Sequence, residues 1–184
     1  PDATPLTAAR VIIGAGAVCA IDRAAALWCW GDGFGALPVR QPQVGVVDVA
    51  IGARHRCVID AAGLACWGDN RNGQVGDVAA ARACDPRGAC EIAAPHHVEL
   101  DARRVVVGER HTCALDGAGV VSCWGSNEVG QLGRADAFLV GDIAPALADA
   151  TGLGAGYAHA CAQRADGAVW CWGATDVTDP AEAL

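Results

Sequence analysis

The chain has 184 residues, enough for one domain or a short array of repeats, and its formal net charge of -8 comes from 21 acidic against 13 basic residues. Every basic residue is Arg, and an acidic chain without a Lys cluster argues against nucleic acid and against anionic membrane surfaces as partners. No window approaches the roughly 18 uninterrupted apolar residues of a spanning helix, so membrane insertion is not expected.

The N-terminal Pro1-Asp-Ala-Thr-Pro-Leu-Thr7 has neither the basic start nor the apolar core of a signal peptide. Either such a segment has been removed or the chain is a piece of something longer.

From the N-terminus onward one unit recurs. It begins with a strand of small and β-branched residues that ends in Gly: Arg10-Val-Ile-Ile-Gly14, Val47-Asp-Val-Ala-Ile-Gly52, Arg104-Val-Val-Val-Gly108 and the weaker Ala150-Thr-Gly-Leu-Gly154. Next comes His-x-Cys, at His55-Arg-Cys57, His111-Thr-Cys113 and His159-Ala-Cys161, with Ala17-Val-Cys19 in the first copy. A turn with Asp and Gly follows, as at Asp116-Gly117 and Asp166-Gly167, where these residues accept positive φ. The return strand ends in Cys-Trp-Gly, at Cys29, Cys66, Cys123 and Cys171. A polar, Gly-rich turn then leads to Pro and a last short strand, as in Pro42-Gln-Val-Gly-Val46 and Pro95-His-His-Val-Glu-Leu100.

The four Cys-Trp-Gly tryptophans are 37, 57 and 48 residues apart, a period that belongs to propellers and solenoids with loop insertions. Four short strands, Gly-rich turns and one Trp per unit are the pattern of a propeller blade. No segment has useful helical periodicity. The expected fold is therefore all-β: a propeller-type array of four repeats with about four antiparallel strands each, partial or open. Residues 1–184 are read as one repeat domain. Its repeats fall at about 1–40, 41–94, 95–143 and 144–184, with an insertion at 77–94.

Ten cysteines without any Cys-x-x-Cys speak against zinc, iron–sulfur, redox-motif and c-type haem sites. Their spacings suit hairpins instead. Cys19 and Cys29, Cys113 and Cys123, and Cys161 and Cys171 are each ten apart, and Cys57 and Cys66 are nine apart. Cysteines at the base of one hairpin face each other within disulfide reach, so these four pairs are expected to be bonded. A fifth pair, Cys84 and Cys90, encloses Asp-Pro-Arg-Gly-Ala and should pin an inserted loop, the first candidate for a recognition element. Such a disulfide set belongs outside the reducing cytosol. The expected location is secreted or at the cell surface.

No catalytic group, cofactor site or metal site is expected. His55, His111 and His159 occupy one repeat position, which places them on different blades, and imidazoles bonded to nearby backbone are the reading for them. His96 and His97 are adjacent but lack a third ligand. Asp69-Asn-Arg-Asn-Gly73 has Arg71 where a calcium ligand would stand and reads as a turn. Trp28 and Trp170 supplement the repeat tryptophans and lie on the same strand face as their neighbours Trp30 and Trp172, where they either fill space left by small residues or stack against sugars.

The pattern Gly-x-x-His-x-Cys-Ala-Leu…Gly-x-Val-x-Cys-Trp-Gly-x-Asn-x-x-Gly-Gln-Leu-Gly resembles the repeat of the regulator of chromosome condensation family. The third copy carries it through Gly108, His111, Cys113, Ala114, Leu115, Gly119, Cys123, Trp124, Gly125, Asn127, Gly130, Gln131, Leu132 and Gly133. The second carries it through His55, Cys57, Cys66, Trp67, Gly68, Asn70, Gly73, Gln74 and Gly76. The first departs after Trp30, at Asp32-Gly-Phe-Gly-Ala-Leu37, and the fourth has no Asn-x-x-Gly-Gln-Leu-Gly.

The resemblance implies a β-propeller, usually of seven blades, and it is strongest to a secreted bacterial branch in which apolar hairpin positions become Cys pairs. That branch includes propellers that inhibit β-lactamases by protein–protein contact. The segments Thr4-Pro-Leu-Thr-Ala8 and Asp179-Pro-Ala-Glu-Ala-Leu184 resemble the Pro-led last strand of a blade. A four-bladed ring, a fragment of a larger propeller and an open arc that pairs with another copy all fit this. The functional expectation is a non-catalytic, extracellular module that binds a protein partner or copies of itself. The alternatives are a lectin-like module that binds glycan and a secreted inhibitor of a hydrolase.

Overall fold

The computed structural model describes residues 6–82, 84, 90–134 and 143–174. These form four antiparallel sheets whose strands follow chain order. The first sheet holds β1 (Ala8–Ile13), β2 (Ala17–Asp22), β3 (Leu27–Gly31) and β4 (Gly35–Arg40). The second holds β5 (Asp48–Ile51), β6 (His55–Asp60), β7 (Gly63–Asp69) and, after a short helix α1 (Val78–Arg82), β8 (Glu91–Val98). The third holds β9 (Ala102–Val107), β10 (His111–Asp116), β11 (Val121–Gly125) and β12 (Ala144–Leu147). The fourth holds β13 (Ala150–Ala155), β14 (His159–Arg164) and β15 (Val169–Gly173). This is the blade grammar expected from the sequence, and among the described residues the sheets form an arc rather than a closed ring.

Within each blade the central hairpin sets the register. Cys19 lies directly across from Cys29, Cys57 from Cys66, Cys113 from Cys123 and Cys161 from Cys171. All four pairs are bonded, with Cα atoms 4.0–4.1 Å apart. That is the close spacing of opposed residues that share no ladder hydrogen bonds. In the first three hairpins an Asp three residues after the first Cys closes the turn. Asp22 Oδ1 accepts from the Ala24 and Ala26 amides, Asp60 Oδ1 from Ala62, and Asp116 Oδ1 from Ala118 and Val120, as Asx turns do. The left-handed residue of the third turn is Gly119 (φ 86°) and not Asp116 or Gly117; in the first turn Ala25 takes that conformation (φ 59°).

Sheets stack face to face, and the two faces of a blade differ. The face bearing the disulfide looks towards the next sheet, and the face bearing the repeat Trp looks back at the previous one. Cys19, Ile21, Leu27 and Cys29 pack against Val49, Val58, Ala65 and Trp67. Cys57, Ile59, Leu64 and Cys66 pack against Val105, Ala114 and Trp124. Cys113, Leu115, Val121 and Cys123 pack against Leu153, Ala160, Ala162 and Trp172. The core is thus three inter-sheet layers, in which disulfides occupy the place of larger aliphatic side chains.

Four expectations need correction. The last strand of the first sheet is Gly35–Arg40, and Pro42–Val46 lies outside any strand. β8 begins at Glu91, so the last residues of the stretch read as insertion, 91–94, are paired in the sheet. The chain is nearly, not wholly, all-β: Asp77 caps α1 by accepting from the Ala80 amide (2.9 Å), ahead of an Ala run. Finally, the Gly that ends the first strand of the fourth copy is Gly156 and not Gly154. A Cβ on Gly156 would meet the His159 ring, as one on Gly108 would meet His111. In all three copies this Gly stands three residues before the His; in the third and fourth it clears space for the imidazole, and in the second for the backbone of Gly108 and His55. Of the segment Thr4–Ala8, residues 6–8 are described, and Ala8 opens β1; Asp179–Leu184 lies outside the described residues.

Candidate binding surface

The turn after each Cys-Trp-Gly decides how one blade meets the next. In Asn70-Arg-Asn-Gly-Gln-Val-Gly76, Asn70 Oδ1 accepts from the Val75 amide, its Nδ2 donates to the Asp77 carbonyl, and Gln74 Oε1 accepts from the Asn72 amide. The same three bonds recur through Asn127 and Gln131. Both side chains are spent on shaping the turn, and the shaped turn presents a backbone carbonyl to the following blade. Gln74 O accepts from Trp124 Nε1 (3.0 Å) and Thr112 Oγ1 (2.8 Å), and Gln131 O accepts from Trp172 Nε1 (3.0 Å). Gly76 and Gly133 must be Gly here, since each has positive φ and a Cβ would crowd Val98 or the incoming Trp172 ring.

The first copy lacks this turn, and its junction is built differently. Phe34, which follows Trp30 in the irregular Asp32-Gly-Phe-Gly turn, lies under the Arg56 guanidinium at 4.8 Å, and the same guanidinium is 5.7 Å from the Trp67 ring centroid. Burial lowers the Arg56 pKa, against the opposing pull of Glu91. A cation between two rings takes the place of the indole-to-carbonyl bond.

His55 bonds to a side chain of the next sheet and not to nearby backbone as expected. His55 is buried and its Nε2 lies 2.7 Å from Thr112 Oγ1, in the next sheet. Because that hydroxyl donates to Gln74 O, the imidazole must donate to it through Nε2. His111 is fully buried, and among the described residues no side-chain hydroxyl meets its ring, since Ala160 stands where Thr112 stands one blade earlier. Burial, with a smaller contribution from the neighbouring His111, pushes the His55 pKa down to about 3; burial, then His159, pushes His111 down to about 4. Among the described residues no three of His, Cys, Asp or Glu converge on a possible metal position.

The loops that join the first and second strands of successive sheets form a charged rim. Arg54 Nε is 3.0 Å from Glu109 Oε1 across the junction between the second and third sheets, and Arg54 also approaches Asp69 (3.7 Å). Arg71 lies 3.7 Å from Asp69, and Arg110 approaches both Glu109 (3.5 Å) and Glu128 (3.8 Å). The Glu109 amide donates to the Tyr157 carbonyl of the fourth sheet. The Tyr157 hydroxyl and then Arg54 hold the Glu109 carboxyl below its usual range.

Beside Arg54, Asp69, Arg71 and Glu91 opens a recess of about 280 Å³ that ends at Cys90. Cys90 is bonded to Cys84, as expected. The tip of that loop, 85–89, falls outside the described residues. The recess therefore lies at the foot of the element read from sequence as the recognition loop.

Trp28 and Trp170 stand across from Ala20 and Ala162, on the same faces as Trp30 and Trp172. Their counterparts in the middle sheets, Ala65 and Ser122, are small and buried. Trp28 is half-buried and donates to Asp22 Oδ2 (3.0 Å) within its own blade, whereas Trp170 is 47% exposed and has no polar partner among the described residues.

The regulator of chromosome condensation (RCC1) repeat model matches residues 46–74 and 102–131, the second and third copies. Among solved structures, the chain is similar to Prp20p of Saccharomyces cerevisiae. The two share 22% identity with a TM-score of 0.73 over 92% of this chain and 44% of that one, in a structure described together with binding to Gsp1p and histones. A second structure of the yeast protein, bound to Kap60, gives 23% identity and a TM-score of 0.72 over 92% of this chain and 42% of that one. Human WBSCR16 gives 18% identity and 0.69 over 90% and 47%. The ectodomain of the receptor kinase CR4 of Physcomitrella patens gives 20% identity and 0.60 over 93% and 42%. The chain spans less than half the length of each of these proteins.

Proposed function

From a chain whose second and third blades match the RCC1 repeat, we propose an extracellular or cell-surface module that works without catalysis, by binding another protein through its charged rim. The observation that carries this reading is the recess between Arg54, Asp69, Arg71 and Glu91, at the foot of the Cys84–Cys90 loop. Arg71 stands where the first copy has Phe34 and the third has Glu128, so its place in the recess is not a demand of the repeat. A loop held by its own disulfide loses less conformational freedom on binding than a free one. Two of the similar yeast structures are described with protein partners, which supports a binding surface on this fold. Five disulfides suit an oxidising compartment, and among the described residues no helix is long and apolar enough to cross a membrane.

Cross-linking the purified chain within the extracellular fraction of its source tests the reading, with an Arg54→Glu/Arg71→Glu variant as control. A defined partner captured by the parent chain and lost from the variant is expected. Equal capture by both, or cross-links lying only on the opposite end of the sheets, would remove the rim from consideration.

Trp170 favours one alternative. An exposed indole without a polar partner is a stacking surface for a sugar ring. Glycan-array binding that is lost in Trp170→Ala would support a lectin-like module instead. A secreted inhibitor of a hydrolase is a special case of the first reading, with the enzyme as the captured partner.

A further inference from the structure

At two junctions of the array a backbone carbonyl of one blade receives donors from the next. Thr112 and Trp124 stand opposite each other in the third sheet, and both donate to Gln74 O, at 2.8 and 3.0 Å. Ala160 and Trp172 hold the same two positions in the fourth sheet, where Trp172 Nε1 donates to Gln131 O. In the second sheet the pair is Arg56 and Trp67. The turn that meets it, Asp32-Gly-Phe-Gly35, has no Gln, and it sets the Phe34 ring rather than a carbonyl against the guanidinium. Among the described residues neither the Arg56 guanidinium nor Trp67 Nε1 has a hydrogen-bond acceptor, and the guanidinium has no ion-pair partner. The repeat thus brings two donors to a point where its acceptor is missing.

We propose that this position takes an oxygen from outside the chain: a carboxylate on an acidic side chain of the protein partner, held by Arg56 and Trp67 together. Thr112 and Trp124 are fully buried, whereas Arg56, Trp67 and Phe34 are each partly exposed, so the position opens to solvent. A cavity of about 10 Å³ lies among these three side chains, Gln41 and Gln43, room for one water-sized atom. A ring face carries no lone pair, so Phe34 and Trp67 hold the cation and leave its N–H donors unused. One of the two donors is now a full charge, and its matching acceptor is an anionic oxygen rather than a carbonyl. The guanidinium fork fits both oxygens of one carboxylate. Glu91 lines the recess beside Arg54 and also acts on the charge of Arg56, so a dianion such as phosphate meets more repulsion here than a carboxylate does. The source of the carboxylate rests on the protein-binding reading above, but the donor pair itself is tested without a partner.

The intact chain, isotope-labelled on nitrogen, is titrated with the blocked peptide acetyl-Gly-Glu-Gly-amide, whose only carboxylate is the Glu side chain, and with its Gln counterpart. The Arg56 Nε–H and Trp67 Nε1–H resonances are followed by NMR. Both should shift along one saturating curve with the Glu peptide, and the Gln peptide should bind at least about tenfold more weakly. The Trp124 Nε1–H resonance should stay in place, because that donor is already bonded to Gln74 O. Arg56→Lys keeps the charge and loses the fork, and it should weaken binding about tenfold. Trp67→Phe keeps a ring and loses the N–H, and it should weaken binding by about threefold to tenfold.

A Glu peptide that gives no saturable shift leaves the position to solvent and overturns the proposal. Shifts at Arg54 or Arg71 with Arg56 unmoved, or tighter binding of inorganic phosphate than of the Glu peptide, overturn it equally. So does undiminished binding to Arg56→Lys. The titration of the unaltered chain covers the case of a misfolded variant. The two readings also fail separately. Shifts at Arg56 and Trp67 in a chain that captures no partner uphold the donor pair and remove the rim. Capture that depends on Arg54 and Arg71, with no shift at Arg56, upholds the rim and removes the donor pair.

Discussion

At the scale of single residues, the buried histidines make stability depend on pH. His55 and His111 are neutral in the fold, with pKa values lowered to about 3 and about 4 by burial, while in the unfolded chain each titrates near 6.5. Between these limits the unfolded chain binds protons that the folded one refuses. Stability is therefore full above about pH 6.5 and falls as pH drops, by about 1.4 kcal/mol per pH unit for each His. Gln at position 55 can still donate to Thr112 Oγ1 and cannot be protonated. Denaturant unfolding of His55→Gln between pH 7 and 4 should accordingly show a shallower loss than the parent chain, and an unchanged slope would exclude His55 as a source of it. A second residue-scale case is Ala25, which holds φ at 59° where the other hairpin turns use Gly63, Gly119 and Gly167. Ala25→Gly should stabilise the chain by about 1 kcal/mol, read as a raised midpoint in the same unfolding assay.

At the scale of elements, a turn and the Trp of the following blade act as one unit. Trp124 is fully buried and donates to Gln74 O. Trp124→Phe leaves that carbonyl with Thr112 alone and should cost about 1–2 kcal/mol. The same change at Trp30, whose indole has no partner among the described residues, should stay within about 0.5 kcal/mol. Equal losses at the two positions would mean that ring volume matters and the hydrogen bond does not.

Much of this level was legible in the sequence. Cysteine spacing gave the hairpins and their four cross-strand disulfides, because antiparallel register ties loop length to which residues oppose one another. The role of Asn-x-x-Gly-Gln was not legible, because what the motif delivers is a backbone carbonyl, and its side chains are consumed in shaping the turn. Nor could the pattern tell that Thr112 bonds His55 while Ala160 offers His111 no hydroxyl, since the partner position lies one blade away. The helix start at Asp77 followed by an Ala run was a readable signal that strand periodicity obscured. The rim escaped notice for a different reason: Arg54, Glu109 and Tyr157 lie in equivalent loops but not at one repeat position, and only stacking of the sheets brings them together.

At the scale of the whole molecule, an Ala- and Gly-rich chain has thin inter-sheet layers, and the disulfides compensate. Closing a hairpin loop of about ten residues stabilises by about 3 kcal/mol in the chain-entropy account. These bonds are not equally reachable. Cys19–Cys29, Cys57–Cys66 and Cys113–Cys123 are at 0–1% exposure under the next sheet, whereas Cys171 is exposed. Under limiting reductant in dilute solution, Cys161–Cys171 should open before these three. Mass analysis of alkylated peptides gives the order, and early loss of Cys57–Cys66 would contradict the packing described. Without reductant, the intact mass should lie ten hydrogens below that of the reduced chain, one for each cysteine.

Asp48 gives the array a property that stacked repeats ordinarily lack. It is buried at 2%; one carboxylate oxygen accepts from Arg10 of the first sheet at 2.7 Å, and the other accepts from the Val105 amide of the third at 3.0 Å. Repeat proteins usually unfold by nearest-neighbour rules, each unit answering only to those beside it. A single side chain bonded to both neighbours at once links the first and third sheets through the second. Asp48→Asn should loosen that link, so that amide exchange in the first sheet gains on exchange in the third relative to the parent chain.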